Sequence, residues 1–157
     1  MRAYCAHVAK ARSKSNGGAG EHAPEQAPLV AIVDDDASVR QSTDRLIRSF
    51  GYRTQVFASG QEFLRSGAAE RAACLLLDVR MPAMDGLDVQ RSLAERGARI
   101  PIVFLTGRAS DEEERRARSA GAVEFLRKPV PQASLREAIE SAVRAPARGN
   151  HDGNRDS

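Results

Sequence analysis

The sequence predicts a single α/β domain built on a five-stranded parallel sheet in the flavodoxin-like order 2-1-3-4-5, with helices on both faces. Short apolar runs alternate with segments of helical periodicity, which is typical of parallel strands covered on both faces. The runs at 29–33, 73–77 and 100–105 are almost continuously apolar, as fully buried strands require. The segment 52–57 mixes polar and apolar residues, so we place it at an edge of the sheet.

The domain is expected to span residues 29–144, between a disordered leader at 1–28 and a disordered tail at 145–157. Both flanks are polar and rich in Gly, Pro and Ser, and they cannot bury enough apolar surface to fold. The leader has the Arg, Ser and Ala content of an organellar transit peptide, but a disordered leader or a misassigned start explains it better. It has no apolar core of the kind that a secretory signal needs.

Composition disfavours a nucleic-acid surface and a membrane span. The formal net charge is only +3, and between residues 29 and 144 eighteen basic side chains are dispersed among seventeen acidic ones. No apolar stretch approaches the length of a membrane span. Cys5 and Cys74 are predicted to be unpaired thiols in a reducing compartment. We therefore expect a cytoplasmic protein with no direct nucleic-acid partner and no membrane partner.

In the first half of the domain, helix signals follow each strand. One helical face is predicted after the first strand by the spacing of Val39, Thr43, Leu46, Ile47 and Phe50. Gly51 is its expected C-terminal stop. The run Ser59-Gly60-Gln61-Glu62 predicts a capping box for a second helix, which Gly67 ends.

The second half repeats this alternation. Asp85 is placed to cap a third helix that ends at Gly97. The segment 110–120 predicts a fourth helix, because its Glu residues come early and its Arg residues late, as the helix dipole favours. A fifth strand at 123–126 precedes a final amphipathic helix, whose apolar face is marked by Leu135, Ile139, Ala142 and Val143.

Polar side chains stand at the carboxyl ends of four of the five predicted strands. They are Asp34, Asp35 and Asp36 after the first strand, Asp78 after the third, Thr106 after the fourth and Lys128 after the fifth. In the predicted order these four strands are neighbours, so their ends should converge. Each residue type has an ordinary alternative: Asp as a turn or cap residue, Thr as a strand residue, a lone Lys as a solvated charge. Their coincidence at four strand ends favours a site.

The residue types of this site point to phosphoryl chemistry. Clustered carboxylates repel one another unless a cation shares them, and oxygen ligands without His or Cys select Mg²⁺. A carboxylate beside such a metal can act as a nucleophile and form an aspartyl phosphate. Lys128 is the only lysine between residues 29 and 144, and it offers a compact positive charge to a phosphoryl oxygen, while Thr106 offers a hydroxyl.

Several motifs resemble the receiver domain of bacterial two-component response regulators. They stand at residues 32–36 (IVDDD), 76–86 (LLDVRMPAMDG), 104–107 (FLTG), 120–122 (AGA) and 125–129 (FLRKP). The FLTG and FLRKP motifs are most similar to regulators of the nitrogen-fixation and nodulation type, which usually carry a DNA-binding output domain. The predicted tail at 145–157 is too short for such a domain, so the chain is expected to be a receiver of this type without a DNA-binding output domain. The acidic first turn of the 110–120 helix departs from that subgroup, where apolar residues are more usual.

The resemblance implies a role for each matching position. Asp78 would be the phospho-acceptor. A Mg²⁺ ion would be held by Asp35, Asp78, the backbone carbonyl of Arg80 and, through a water, Asp34. Thr106 and Lys128 would contact the phosphoryl group, Phe125 would act with Thr106 as a switch, and the Lys128–Pro129 bond would be cis. Asp36 is expected to cap the first helix instead of binding metal.

The resulting hypothesis is a stand-alone receiver that a sensor histidine kinase phosphorylates on Asp78 and that then changes its affinity for an unknown downstream protein. It would be no enzyme beyond its own phosphorylation and dephosphorylation, and a homodimer is compatible with the sequence. One alternative is a degenerate or truncated regulator acting as a binding module or phosphate sink. An aspartate-nucleophile hydrolase would need a second Asp where Arg80 stands. Arg80 and Arg108 could either shield the acyl phosphate from water or face solvent.

Overall fold

The computed structural model describes residues 23–145 as one five-stranded parallel sheet with helices on both faces. Its strands are β1 Leu29–Val33, β2 Arg53–Phe57, β3 Cys74–Leu77, β4 Ile102–Thr106 and β5 Glu124–Arg127. Its α-helices are α1 Ala37–Ser49, α2 Gly60–Ser66, α3 Gly86–Glu95, α4 Asp111–Ser119 and α5 Gln132–Arg144. The strand order is β2-β1-β3-β4-β5, which confirms the predicted topology.

Two apolar layers sandwich the sheet. Every residue of β1, β3 and β4 is buried, whereas β2 lies at an edge and only its last residue, Phe57, is buried. One layer joins Val30, Leu76 and Val103 of the sheet to Ile47 of α1 and Ile139 of α5. The alternate residues of the same strands face α2, α3 and α4 on the other side. Side chains alternate between the two faces of a strand, so three short strands suffice to build both layers.

The predicted helix signals are confirmed with one difference. Asp36 caps α1 by accepting hydrogen bonds from the Ser38 and Val39 N–H groups at 3.0 and 3.1 Å. Ser59 caps α2, but the Glu62 carboxylate accepts from the N–H of Ala58, one residue before the cap, so only half of the predicted capping box forms.

Two further differences concern short segments. β4 begins at Ile102, two residues later than predicted, after Pro101, which has no N–H to donate to a neighbouring strand. A 3-10 helix at Ala68–Glu70, absent from the predicted elements, follows Gly67, whose φ of 79° ends α2 in the left-handed conformation. Three residues are too few to leave a periodic pattern in a sequence.

The chain enters β1 through a turn at residues 24–27. The Ala27 N–H donates to the Pro24 carbonyl at 2.9 Å, and the Arg53 Nε donates to the Ala27 carbonyl at 2.9 Å. This turn belongs to the segment 1–28 that the sequence assigns to a disordered leader. The rest of that leader, with Cys5, and the tail from residue 146 onward lie outside the described residues, so their predicted disorder stays a prediction.

Two properties of the described chain bear on its chemistry. None of the helices between residues 23 and 145 combines the length and the hydropathy needed to cross a bilayer. Cys74 is a free thiol buried in β3, and burial raises its pKa to about 12. A thiol with so high a pKa is unreactive, so Cys74 serves as a small core residue.

Candidate functional site

The end of β1 places two aspartates at the carboxyl edge of the sheet. Asp34 is 5% exposed, and its N–H extends the ladder by donating to the Phe57 carbonyl at 3.2 Å. Its carboxylate accepts the Asp36 N–H at 2.9 Å, which turns the chain into α1. Asp35 between them is exposed. One carboxylate of the pair is therefore fixed in the protein while the other faces solvent.

The end of β3 places Asp78 beside them. The Asp78 N–H donates to the Val33 carbonyl at 3.2 Å, and its carboxylate accepts the Arg80 N–H at 3.3 Å. The loop then returns against the sheet, because the Gly86 N–H donates to the Val79 carbonyl at 2.8 Å. A Cβ at Gly86 would collide with the Asp78 carbonyl oxygen, so only glycine allows this close approach.

These strand ends bring three carboxylates together. Oxygens of Asp34, Asp35 and Asp78 lie within 4.8 Å of one another. Burial and the neighbouring charge of Asp34 raise the pKa of Asp78, and the positive charge of Lys128 partly opposes that rise. The Lys128 Nζ lies 3.5 Å from the Asp34 carboxylate. The site thus contains more negative charge than its single ammonium balances.

Thr106 and Phe125 lie on neighbouring strands beside this cluster. Thr106 is buried at the end of β4, and its hydroxyl donates to the Arg108 carbonyl at 3.0 Å. The Lys128 N–H donates to the Thr106 carbonyl at 2.8 Å, which ties the two strand ends together, and the Lys128–Pro129 bond is cis as expected. Phe125 is buried against Phe104, with ring centroids 5.6 Å apart.

Two contacts around the site could not be predicted from the sequence. The Arg40 guanidinium donates to the Asp34 backbone carbonyl at 2.8 Å and so supports the acidic loop from α1. The Arg80 guanidinium lies 3.1 Å from the Glu113 carboxylate on α4, which links the loop after β3 to that helix. Both pairs join separate segments, and neither has a local spacing signal that could have disclosed it.

The donor set fits a hard divalent cation. The cluster consists of carboxylates alone, and oxygen donors of this kind suit Mg²⁺ in preference to zinc. A divalent charge would also relieve the repulsion that Asp34 exerts on Asp78. Asp34, Asp35 and Asp78 are therefore the residues able to hold such an ion.

The fold and the acidic cluster define a class: a doubly wound α/β protein with a site for a divalent cation where its strands end. The sequence of residues 30–140 matches the response regulator receiver domain family, and the chain belongs to that family. Receiver domains act in two-component systems, where sensor histidine kinases phosphorylate them on an aspartate and Mg²⁺ binds in an acidic pocket.

Individual relatives agree with this assignment. Response regulator protein TmoT of Ectopseudomonas mendocina is 42% identical over 79% of this chain and 56% of its own length. Nodulation protein W of Bradyrhizobium diazoefficiens is 39% identical over 81% of this chain and 56% of its own length, which agrees with the expected nodulation-type resemblance. The structure of response regulator StyR, 41% identical, matches with a TM-score of 0.70 over 74% of this chain and 59% of its own.

The chain spans about half the length of the curated relatives that it matches. The family and the fold expected from the sequence are thus confirmed. The structure gathers Asp34, Asp35, Asp78, Thr106 and Lys128 at one edge of the sheet, as the strand-end argument predicts. Their individual roles in metal binding and phosphoryl transfer remain predictions.

Proposed function

We propose that this receiver accepts a phosphoryl group from the phosphohistidine of a sensor kinase onto the carboxylate of Asp78. The observation that carries the proposal is the convergence of three carboxylates with the single ammonium of Lys128 at the carboxyl edge of the sheet. Asp78 is the half-buried member of the trio and directly follows β3, the central strand of the sheet.

The transfer exchanges one bond to phosphorus for another. The P–N bond of the phosphohistidine breaks, a P–O bond forms to a carboxylate oxygen of Asp78, and the imidazole leaves. The ionised carboxylate is the nucleophile, so no proton has to leave Asp78 during attack. The Lys128 ammonium and the Thr106 hydroxyl stand on the neighbouring strands, where they can neutralise charge on the phosphoryl oxygens.

Mg²⁺ completes the proposed site. Asp35, Asp78 and the backbone carbonyl of Arg80 would hold the ion, and Asp34 would act through a water. When bound, the ion supplies positive charge that stabilises the phosphoryl oxygens during transfer. Arg40 and Lys128 hold Asp34 from two sides, by its backbone carbonyl and its carboxylate, and so keep the acidic loop in place.

Phosphorylation would act on the rest of the domain through Thr106. Its hydroxyl donates within its own loop, to the Arg108 carbonyl. A phosphoryl oxygen on Asp78 would compete for that hydroxyl, draw the β4–α4 loop inward and open space for the neighbouring Phe125. A bound group shifts the equilibrium between two conformers by the difference between its interaction free energies with the two.

Phosphotransfer from a labelled histidine kinase tests the proposal. Label should pass to the wild type in the presence of Mg²⁺ and should not pass to Asp78→Asn. Asp36→Asn is a matched control, because Asp36 is an adjacent carboxylate whose hydrogen bonds are those of a helix cap. Label retained on the Asp78→Asn variant would remove the central assignment.

The stand-alone mode is a separate proposal. If the receiver itself is the output, the 157-residue chain loaded with Mg²⁺ and beryllium fluoride, a phosphoryl mimic, should change its affinity for a downstream protein. A degenerate receiver acting as a binding module would not bind the mimic at all. A phosphate sink would accept phosphate while its partner affinity stays the same. The same titration, read by partner binding, separates these three cases.

We also propose that Arg80 and Arg108 prolong the lifetime of the acyl phosphate on Asp78. The Arg80 Nε lies 3.4 Å from the Arg108 carbonyl, so the segments after β3 and β4 meet across the mouth of the site. The Arg80→Ala/Arg108→Ala double variant should lose phosphate several-fold faster, because water would reach the phosphorus more easily. Arg115→Ala/Arg116→Ala, on the exposed face of α4, is the control. An unchanged half-life in the first variant would end the idea.

A further inference from the structure

The end of the sheet opposite Asp78 collects arginines that the sequence scatters over almost a hundred positions. In a parallel sheet the strands begin, and the covering helices end, at the same side. Of the arginines in such positions, six line or flank two neighbouring surface depressions, and we call these six the arginine pole: Arg48, Arg53, Arg71, Arg96, Arg99 and Arg144. All six are exposed. Topology therefore produces a basic surface from residues that look dispersed along the chain.

The charges of this pole are poorly balanced by acids. Among residues 23–145, Arg48 is the one pole arginine with a carboxylate within 4.0 Å, that of Asp44. Four of the others donate to neutral oxygens: Arg53 and Arg71 to the Ala27 carbonyl and the Gln55 side-chain oxygen, both at 2.9 Å, Arg96 to the Leu64 carbonyl at 3.1 Å and Arg99 to the Gly97 carbonyl at 2.7 Å. Each of these guanidiniums keeps further N–H groups for a ligand, since guanidinium has five.

Favourable interaction with helix dipoles does not account for the whole pole. Arg48, Arg96 and Arg144 stand at helix C-termini, where a cation is favourable in any protein. Arg53 begins a strand, and Arg99 stands in the loop before β4, so neither gains from a helix end. A helix dipole therefore explains only part of the positive charge at this end of the sheet.

Arg96 and Arg99 border an open groove of about 610 Å³ between the 3-10 helix, the α3–β4 loop and the end of α5. Its remaining lining is mostly small or apolar, with Ala69, Ala72, Ala73, Ala98, Ile100, Pro101 and Val143 and one acid, Glu70. A second depression of about 370 Å³, lined in part by Arg48, Arg53 and Arg71, adjoins it through the segment 69–71. The surface is thus a strip that combines apolar walls with guanidiniums.

We propose that this groove binds an acidic peptide segment of a partner protein, with small apolar side chains against the alanines and carboxylates paired with Arg96 and Arg99. The apolar walls favour a peptide over nucleic acid, because the lining of the groove contains no aromatic side chain on which a base could stack. The groove lies at the opposite end of the sheet from Asp78, so the partner and a phosphorylating kinase can be bound together. This surface does not depend on the proposed phosphoryl acceptance.

Fluorescence anisotropy with a labelled peptide of about ten residues that alternates Glu with Ala or Leu tests the proposal. The full-length chain should bind it saturably, and rising salt should weaken binding. Arg96→Glu/Arg99→Glu should weaken binding by about tenfold or more, since two attractive contacts become repulsive. The matched control is Arg91→Glu/Arg115→Glu, which changes the net charge equally at exposed positions in the middle of α3 and α4 and should alter affinity less than about twofold.

Urea denaturation provides a readout of intact folding for both variants. Equal losses in the two variants would mean that only net charge matters, and the proposal would fail. It would fail equally if the peptide did not bind, if a DNA duplex of matched charge bound more tightly, or if sedimentation showed that a second copy of the chain occupies the groove.

Discussion

The two ends of the sheet are built from the same strands yet gather side chains of opposite charge. The carboxyl edge gathers Asp34, Asp35 and Asp78 within 4.8 Å, and the amino edge gathers the arginine pole. Asp34 and Asp78 follow strands directly, and their N–H groups extend the ladder of the sheet, which fixes their position. The arginines lie at helix ends and in loops, and they donate mostly to neutral oxygens. One end is a compact, partly buried site for a small ion, and the other is an open surface for a larger partner.

This difference decides how each end responds to change. At the carboxyl edge, charges in contact inside a partly buried site interact strongly, and a single substitution should remove the function. At the amino edge, exposed charges each contribute little and act together. Substitutions at the two ends should therefore differ in size, and each should leave the function of the other end intact.

The largest expected effect is at Lys128. Lys128→Ala leaves the Asp34 carboxylate without its ammonium partner and deprives a phosphoryl group of its positive contact. We expect Mg²⁺-dependent beryllium fluoride binding to weaken by about 100-fold or more, as for the loss of an electrostatic contact in a preorganised site. Calorimetric titration measures it. Arg99→Ala at the other end is the control, and equal losses in both variants would abolish the distinction between the ends.

Gly86 tests how closely the backbone at the start of α3 packs against the backbone of Asp78 at the carboxyl edge. Gly86→Ala places a Cβ against the Asp78 carbonyl oxygen and 3.0 Å from the Phe104 ring, so the loop must shift. We expect a loss of about 1–3 kcal/mol in the free energy of unfolding, as for overpacking elsewhere. Urea denaturation measures it. Gly107→Ala is the matched control, because its Cβ would meet only the Lys128 side chain, at 3.9 Å. Similar free energies of unfolding for the two variants would show that Gly86 does not pack closely against the Asp78 carbonyl oxygen.

Asp78→Asn should stabilise the protein in the absence of metal. Burial and the charge of Asp34 raise the pKa of Asp78 above its usual 3.8, so its ionised form opposes folding. That cost is absent below pH 3.8 and develops as pH rises through the folded-state pKa. At pH 7 we expect a gain of about 1 kcal/mol, the size of one screened like-charge contact. Thermal unfolding with and without Mg²⁺ measures it, and Mg²⁺ should reduce the gain. A variant less stable than the wild type without metal would refute this explanation.

A smaller effect is expected at Glu114, on the exposed side of α4. Hydrogen bonds from Arg127 and Arg118 lower the pKa of Glu114, so its contribution to stability is present above its unfolded pKa of 4.5 and disappears as pH falls through the lowered folded-state value. Glu114→Gln should lower the melting temperature by about 1–2 °C at pH 7 and by less in acid. If the difference in melting temperature between Glu114→Gln and the wild type did not change with pH, the effect would come from packing and not from charge.

The contrast between the ends also explains what the sequence could predict. Asp34, Asp78, Thr106 and Lys128 stand directly after apolar runs, so recognising the strands was enough to bring the four residues together. Arg53, Arg71 and Arg99 stand in three separate segments whose spatial relation appears only when the sheet is assembled, and the sequence therefore suggested dispersed charge. The pair Arg80–Glu113, 33 residues apart, escaped prediction for the same reason.

The central claim is that the carboxylate of Asp78 receives the phosphoryl group. After phosphotransfer, borohydride reduces an acyl phosphate to the alcohol, so the modified aspartate becomes homoserine. Peptide mass spectrometry should then find homoserine at position 78, only in the presence of Mg²⁺ and with Asp34 and Asp35 unchanged. Homoserine at position 34 or 35, or modification of 78 at the same rate without the ion, would contradict the claim.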